Sequence, residues 1–152
     1  MPRPLSPSQD SLLAAGEEPL PGAHLVTPRA FYEHHGIYVG GGRVIHYAGL
    51  ANRLWPGPVE EVSLAAFAHG HRIRVRHGPR RFDCVEVLAR ARSRLTERRY
   101  AIFTNNCEHF CTWVLRGEPR SGQVEALARL PRHLWRLLQG IRYRESHASM
   151  RS

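Results

Sequence analysis

The sequence contains no lysine, so all 22 of its basic residues are arginine, set against 13 acidic residues. The net charge of +9 at pH 7 favours anionic partners such as phosphates or lipid headgroups. Guanidinium groups stay protonated near neutral pH, so this charge does not titrate away. Arginine-only usage also fits a codon bias of the genome. The most basic stretch, Arg72–Arg76, alternates with Ile and Val and holds no aromatic residue, which favours a strand and argues against a nucleic-acid partner.

Cysteine and long apolar runs are also scarce. The first twenty residues have no hydrophobic segment of the kind found in secretion signals, and the three cysteines are an odd number. We therefore expect a cytoplasmic protein with reduced thiols. The longest candidate membrane span, Val124–Ile141, is interrupted by charged residues and Pro131, which excludes a transmembrane helix but leaves peripheral contact with a membrane open.

A chain of 152 residues is long enough for one domain with a real core. Residues 1–22 carry several prolines and serines without periodicity, which predicts a flexible N-terminal arm, with order beginning near Ala23. A central domain is expected over 23–124. Residues 125–152 are expected to form an amphipathic basic C-terminal helix and tail. Its leucines and arginines suit an anionic interface, and equally a helix packed on the core.

The chain mixes strand and helix patterns. Two runs rich in β-formers, Phe31–Val39 and Arg43–Tyr47, flank three glycines and predict a β-hairpin. Further predicted elements are strands at 59–62 and 72–76, a short helix at 64–68, and helices at 84–98 and 107–116 that begin after the capping residues Asp83 and Asn106. These elements predict an α+β fold in which an antiparallel sheet packs against helices.

Cys107 stands at the start of a predicted helix. A helix N-terminus and a neighbouring imidazolium can both lower the pKa of a thiol, so we expect a thiolate near neutral pH. Helical spacing puts Cys107 on one face with Phe110, Cys111 and Val114, turned toward the sheet. The backbone N–H of Cys107 is the expected oxyanion donor.

Two histidines lie on the predicted hairpin. Pairing about the glycine turn joins positions whose numbers sum to about 82, which makes His34 and His46 diagonal neighbours on one face. Alternation puts His35 on the opposite face. A thiol, a base and a polar group that orients the base suit nucleophilic catalysis, although each residue taken alone has a structural explanation.

The segments 34–40 (HHGIYVG), 43–46 (RVIH) and 105–110 (NNCEHF) resemble the signature blocks of the lecithin retinol acyltransferase family. This family is related to the papain-like NlpC/P60 hydrolases, with a circularly permuted order in which the histidine strands precede the cysteine helix. The resemblance implies that 23–124 is a catalytic domain of that architecture. It also implies an enzyme of lipid metabolism that needs no cofactor and no metal.

Carried over by position, the resemblance implies that Cys107 is the nucleophile, His34 the base and His46 the polar third member. The thiol would attack an acyl ester, expected to be a glycerophospholipid, and form a thioester that passes its acyl group to water or to an amine or alcohol. Residues expected to support the site or contact the substrate are His35, Tyr38, Asn106, Glu108 and His109. His35 stands where animal members commonly have an aromatic residue.

Three alternatives stay open. The first is a cysteine peptidase or amidase of the NlpC/P60 type, acting on peptide or cell-wall amide bonds. The second is a non-catalytic binding protein that keeps the fold. The third is a zinc module built from Cys107, His109 and Cys111 with His34 or His46, although these three helix positions do not share one face.

Overall fold

The computed structural model describes residues 9–49, 56–101 and 106–117. Within them, six antiparallel strands form one sheet with the order β1-β6-β2-β3-β4-β5, accompanied by three helices. The α+β prediction is therefore confirmed. The elements in chain order are β1 (Gln9–Leu12), β2 (His24–Pro28), β3 (Glu33–Gly40), β4 (Arg43–Gly49), β5 (Gly57–Ser63), α1 (Leu64–Ala68), β6 (Arg74–His77), α2 (Cys84–Ser93) and α3 (Cys107–Arg116).

The expectation that order begins near Ala23 is wrong, because β1 forms an edge strand of the sheet beside β6. The carboxylate of Asp10 accepts hydrogen bonds from Arg74 at 2.8 Å and from Arg76 at 3.1 Å. These charge-assisted contacts add to the backbone ladder and hold the strand in place. The proposed domain boundaries at 22 and 124 stay predictions, and the expected C-terminal helix lies outside the described residues.

The hairpin of β3 and β4 has the predicted register, with Gly36 opposite His46 and Ile37 opposite Ile45. Its turn uses three consecutive glycines with φ between 59° and 91°, a backbone region that L-residues rarely adopt. This turn chemistry explains why the hairpin was visible in the sequence. β3 begins two residues later than predicted because the backbone N–H of Arg29 donates to the carbonyl of Tyr32 and closes a turn there.

The helix α2 ends at Ser93, five residues before the predicted end. Beyond it, Thr96 donates its backbone N–H to the carbonyl of Val59, and Val59 donates to Glu97. Pairing with β5 therefore replaces the last helical turn. Such a contact depends on a strand far away in sequence, so helical periodicity alone overextends the helix.

The sheet carries a core on each face. One face packs α2 and α3 against β3, β4 and β5, with Ile37, Ile45 and Phe110 fully buried. On the other face, Phe67 of α1 forms a second core with Tyr38 and Val44. Tyr38 and Ile37 are on opposite faces, as strand alternation predicts. Gly36, on the same face as Tyr38, leaves no room for a side chain, since a Cβ there would lie 2.6 Å from Val44 and 2.8 Å from Phe67.

Candidate active site

His34 and His46 are in direct contact. The Nε2 atom of His34 lies 2.6 Å from the Nδ1 atom of His46, and the two rings meet nearly edge to face at 87°. Both residues are buried, at 2% and 7% exposure. Phe67 of α1 packs against both rings, with centroid distances of 5.4 Å and 5.9 Å. The predicted diagonal contact is confirmed.

Glu60 extends this histidine pair by one more residue. It lies directly opposite His46 in the β4–β5 ladder, and its Oε1 atom is 3.2 Å from the Nε2 atom of His46. Sequence reasoning missed Glu60, because its partner is set by the register between β4 and β5. The Glu-Glu pair at 60 and 61 carried a weak signal, since alternation must turn one of the two carboxylates toward the face of His46.

Cys107 is the first residue of α3. Asn106 caps the helix by accepting the backbone N–H of His109 at 2.9 Å, and the Nδ1 atom of His109 accepts the backbone N–H of Asn106 at 3.4 Å. This reciprocal capping box fixes the direction in which the helix starts. The capping prediction for Asn106 is confirmed, and the side chain of His109 acts in the same cap.

The sulfur of Cys107 reaches the edge of β3. The pairing of β3 with β4 ends at Gly36, opposite His46, whereas β3 itself begins three residues earlier, at Glu33. Along that stretch the thiol donates to the carbonyl of Glu33, with an Sγ–O distance of 3.9 Å, and the backbone N–H of His35 bonds to the sulfur. The start of α3 thus lies against the main chain on both sides of His34.

Burial dominates the electrostatics of the site. It raises the pKa of Cys107 to about 11, although the backbone N–H groups of His35, Glu108 and Cys107 itself lower it. Burial also lowers the pKa of His34 well below its usual value, reinforced by His46 and Arg29. The expectation of a thiolate near neutral pH is therefore wrong for this structure, because desolvation outweighs the helix start. Burial therefore favours the neutral form of each group, the thiol of Cys107 and the imidazole of His34.

His35 belongs to a second histidine pair on the opposite face of β3 from His34. Its Nδ1 atom lies 2.9 Å from the Nε2 atom of His24, and its own Nε2 atom is buried without a hydrogen-bond partner. Burial lowers the pKa of His35 to about 3. The backbone of His35 contacts the cysteine, while its imidazole is held by His24, a partner that the sequence did not indicate.

Two other predicted residues have different positions. Tyr38 donates its hydroxyl hydrogen to Glu18 and accepts the backbone N–H of Gly42 at 2.9 Å, so it ties the hairpin turn to the N-terminal segment. It lines a cavity of about 980 Å³ on the α1 face whose lining does not include Cys107. The charge of Glu108 raises the pKa of both Cys107 and His24, which makes it an electrostatic neighbour of the thiol.

Two negative findings apply to the described residues. None of their histidine, cysteine and carboxylate side chains form a group of three that could hold a metal ion. None of their helices has the length and apolar composition needed to span a bilayer.

Comparison with known proteins agrees with the signature blocks. The profile of the family described as lecithin retinol acyltransferase matches residues 17–120. Lecithin retinol acyltransferase of Rattus norvegicus is 31% identical over 134 residues, covering 70% of this chain and 58% of the rat protein. Phospholipase A and acyltransferase 3 of Homo sapiens is 28% identical over 124 residues, covering 70% of this chain and 76% of that protein. Phospholipase A and acyltransferase 4 of Homo sapiens is 29% identical over 130 residues, covering 72% and 77%.

These relatives are named as acyltransferases and phospholipases. This chain spans 58% of the length of the rat protein, which is less than two thirds. The profile covers well over half of the chain and confirms the resemblance seen in its motifs. The chain belongs to the lecithin retinol acyltransferase family.

Proposed function

We propose that this chain is a cysteine-dependent acyltransferase or phospholipase that takes an acyl group from a glycerophospholipid and holds it as a thioester on Cys107. The observation that carries the proposal is the position of the Cys107 sulfur, against the main chain of Glu33 and His35 that flanks His34. The names of the relatives support the reaction class. The substrate and the thioester are our inference.

The neutral resting state decides how the first step runs. Since burial disfavours the charged forms of both Cys107 and His34, the proton moves as the bond to carbon forms. Sulfur attacks the ester carbonyl while His34 accepts the thiol proton. The oxyanion is stabilised by the backbone N–H of Cys107 at the helix start. His34 then gives its proton to the departing lysophospholipid oxygen, which leaves a thioester.

The second half-reaction sets the outcome. Water, activated by His34, would release a free acid and make the chain a phospholipase. An amine or alcohol would take the acyl group and make it a transferase. In either case the thiol and the imidazole return to their starting protonation states, so no cofactor is consumed.

The proposal includes peripheral contact with an anionic membrane surface in a reducing, cytoplasmic environment. The net charge of +9 supports attraction to anionic lipid headgroups. All three cysteines are free thiols, and Cys107 must stay reduced to act as a nucleophile.

The direct test measures acyl release from phosphatidylcholine by the wild type, Cys107→Ala and His34→Ala, together with mass spectrometry of the protein for a thioester on Cys107. We expect both variants to lose activity with their circular dichroism unchanged. Cys84→Ala is the matched control, since Cys84 is exposed, and it should retain activity. Full activity in Cys107→Ala would contradict the proposal.

The same preparation separates the alternatives. Cleavage of a muropeptide without any lipid adduct would favour a peptidase or amidase of the NlpC/P60 type. Absence of both activities would favour a binding protein. Slow alkylation of Cys107 does not by itself indicate a silent protein, because burial raises the pKa of this thiol in the resting state.

A further inference from the structure

We propose that Glu60 is a positioning residue that, through His46, fixes the proton of His34 on Nε2 and leaves Nδ1 as the basic atom. This inference rests on the proposed function, in which His34 takes the proton of Cys107. It adds a third member to the histidine pair, and this member comes from β5, a strand outside the three signature blocks.

The hydrogen-bond partners determine which ring nitrogen of His46 and of His34 carries the hydrogen. An ionised carboxylate only accepts, so the Nε2 atom of His46, at 3.2 Å from Glu60, must carry the hydrogen. A neutral imidazole has one N–H, which makes the Nδ1 atom of His46 an acceptor. The Nε2 atom of His34, 2.6 Å away, must then be the donor. The remaining nitrogen of a neutral His34, Nδ1, keeps its lone pair.

The charged groups around the pair support the neutral form. Burial lowers the pKa of both histidines, and the charge of Arg29 lowers each of them further. Arg29 is held in place by donating to the carbonyl of Phe67 at 2.8 Å. His35 acts in the same direction on His34, and Glu60 opposes these effects at His46. Glu60 therefore orients the ring of His46 while His34 and His46 both stay neutral.

The same accounting predicts what happens when the pair takes up a proton. A protonated His46 has hydrogen on both nitrogens, so its Nδ1 becomes a donor to His34. The Nε2 atom of His34 must then accept, and its hydrogen moves to Nδ1. The base is lost even though His34 itself stays neutral, which places an acid limb in the pH profile.

The chain supplies a matched control next to Glu60. Glu61 is on the opposite face of β5 and pairs with Arg43 at 3.1 Å. Glu60→Gln and Glu61→Gln therefore remove the same charge from adjacent positions, but only the first touches the histidine pair. An amide at position 60 can present either its N–H or its carbonyl to His46, so it no longer selects one tautomer.

The experiment compares the wild-type chain, Glu60→Gln and Glu61→Gln on micelles of diheptanoyl phosphatidylcholine across pH. For Glu60→Gln we expect kcat to fall about 10- to 1,000-fold with KM nearly unchanged. This is less than the ~10⁴-fold loss seen when an orienting carboxylate touches the base directly. Removing the charge that raises the pKa of His46 should also shift the acid limb to lower pH. Glu61→Gln should keep both the rate and the limb.

A readout independent of activity is the ¹⁵N spectrum of His34, which reports which ring nitrogen carries hydrogen. The wild type should show the Nε2–H form, and Glu60→Gln a mixture of the two forms. An Nδ1–H form in the wild type, or an unchanged tautomer and pH profile in a folded Glu60→Gln, would overturn the inference. If Glu60→Gln does not fold, Glu60→Asp, with its shortened carboxylate, is measured in the same way.

The two levels of proposal fail differently. Loss of activity in Cys107→Ala and His34→Ala with no effect of Glu60→Gln would refute only the role of Glu60. Phospholipid turnover that persists in Cys107→Ala would refute the proposed function, while the ¹⁵N spectrum still tests the tautomer. In a His46→Asn background, Glu60→Gln should add no further loss, because the connection to His34 is already removed.

Discussion

At the scale of single residues, desolvation decides the chemistry of Cys107. The residue has the helix-start position expected of a reactive thiol and three backbone N–H groups that favour the thiolate. Its burial nevertheless raises the pKa to about 11. On the proposed function, this thiol becomes a nucleophile only as it passes its proton to His34.

The first prediction concerns alkylation of that thiol. In Cys84→Ala without lipid, the iodoacetamide rate at Cys107 should rise about tenfold per pH unit between pH 7 and 10, because only the thiolate reacts. Peptide mass spectrometry measures the rate at each pH. A rate already at its plateau near pH 7 would contradict the raised pKa.

Gly36 gives a second prediction at this scale. A methyl group there would meet Val44 and Phe67 at under 3 Å, so Gly36→Ala should lower the free energy of unfolding by about 1–3 kcal/mol. Urea denaturation measures the change. Gly78→Ala is the control, since a Cβ there meets no atom within 4 Å. Equal effects at both positions would show that the space beside the histidine pair is not limiting.

At the scale of elements, Arg90 connects α2 to α3. The guanidinium of Arg90 lies between the rings of Phe82 and Trp113, at 4.2 Å and 4.0 Å, and donates to the carbonyls of Trp113 and Val114 near the end of α3. It combines cation–π contacts with hydrogen bonds to two carbonyls in the last turn of α3, and the carbonyl of Trp113 also accepts the backbone N–H of Gly117. This contact supports the helix that carries Cys107.

A third prediction follows for this contact. Arg90→Lys keeps the charge but loses the planar group, so it should lower the free energy of unfolding by about 1–2 kcal/mol. Thermal and urea denaturation measure the loss. Arg92→Lys, on the exposed side of α2, should change stability by less than about 0.5 kcal/mol. Similar losses for the two variants would contradict a specific role for Arg90.

The elements also show what a sequence can predict. α3 was predicted with both of its bounds because its cap, Asn106, and its stop, Gly117, are local signals. The hairpin was predicted for the same reason, through its glycine turn. β1 was missed because its anchor, Asp10, binds arginines more than sixty residues away. Glu60 was missed for a similar reason, since its partner depends on which strands become neighbours.

At the scale of the whole molecule, buried histidines dominate the response to acid. Burial lowers the pKa of each of them below the value of 6.5 expected when unfolded, to about 3 for His35. Below pH 6.5 the unfolded chain binds protons that the folded chain excludes. Stability is therefore present above that pH and lost as pH falls through it. Among the described residues, five histidines are concerned: His24, His34, His35, His46 and His109.

A fourth prediction follows from this sign. For His35 alone the loss should be about 1.4 kcal/mol per pH unit between roughly pH 6 and pH 4. Urea denaturation at about pH 7, 6, 5 and 4 measures the slope. His35→Phe should reduce this slope by about 1.4 kcal/mol per pH unit, the contribution of one proton. The same change at exposed His71 should leave the slope unchanged. A stability constant down to pH 5 would contradict the burial of neutral imidazoles.

The sulfur of Cys107 and the carbonyl of Glu33 that it contacts are 74 residues apart in the sequence. A chain emerging from the ribosome therefore exposes its histidine strands long before the cysteine helix has been synthesised. On the proposed function, any nascent or clipped fragment that ends before Cys107 therefore lacks the nucleophile.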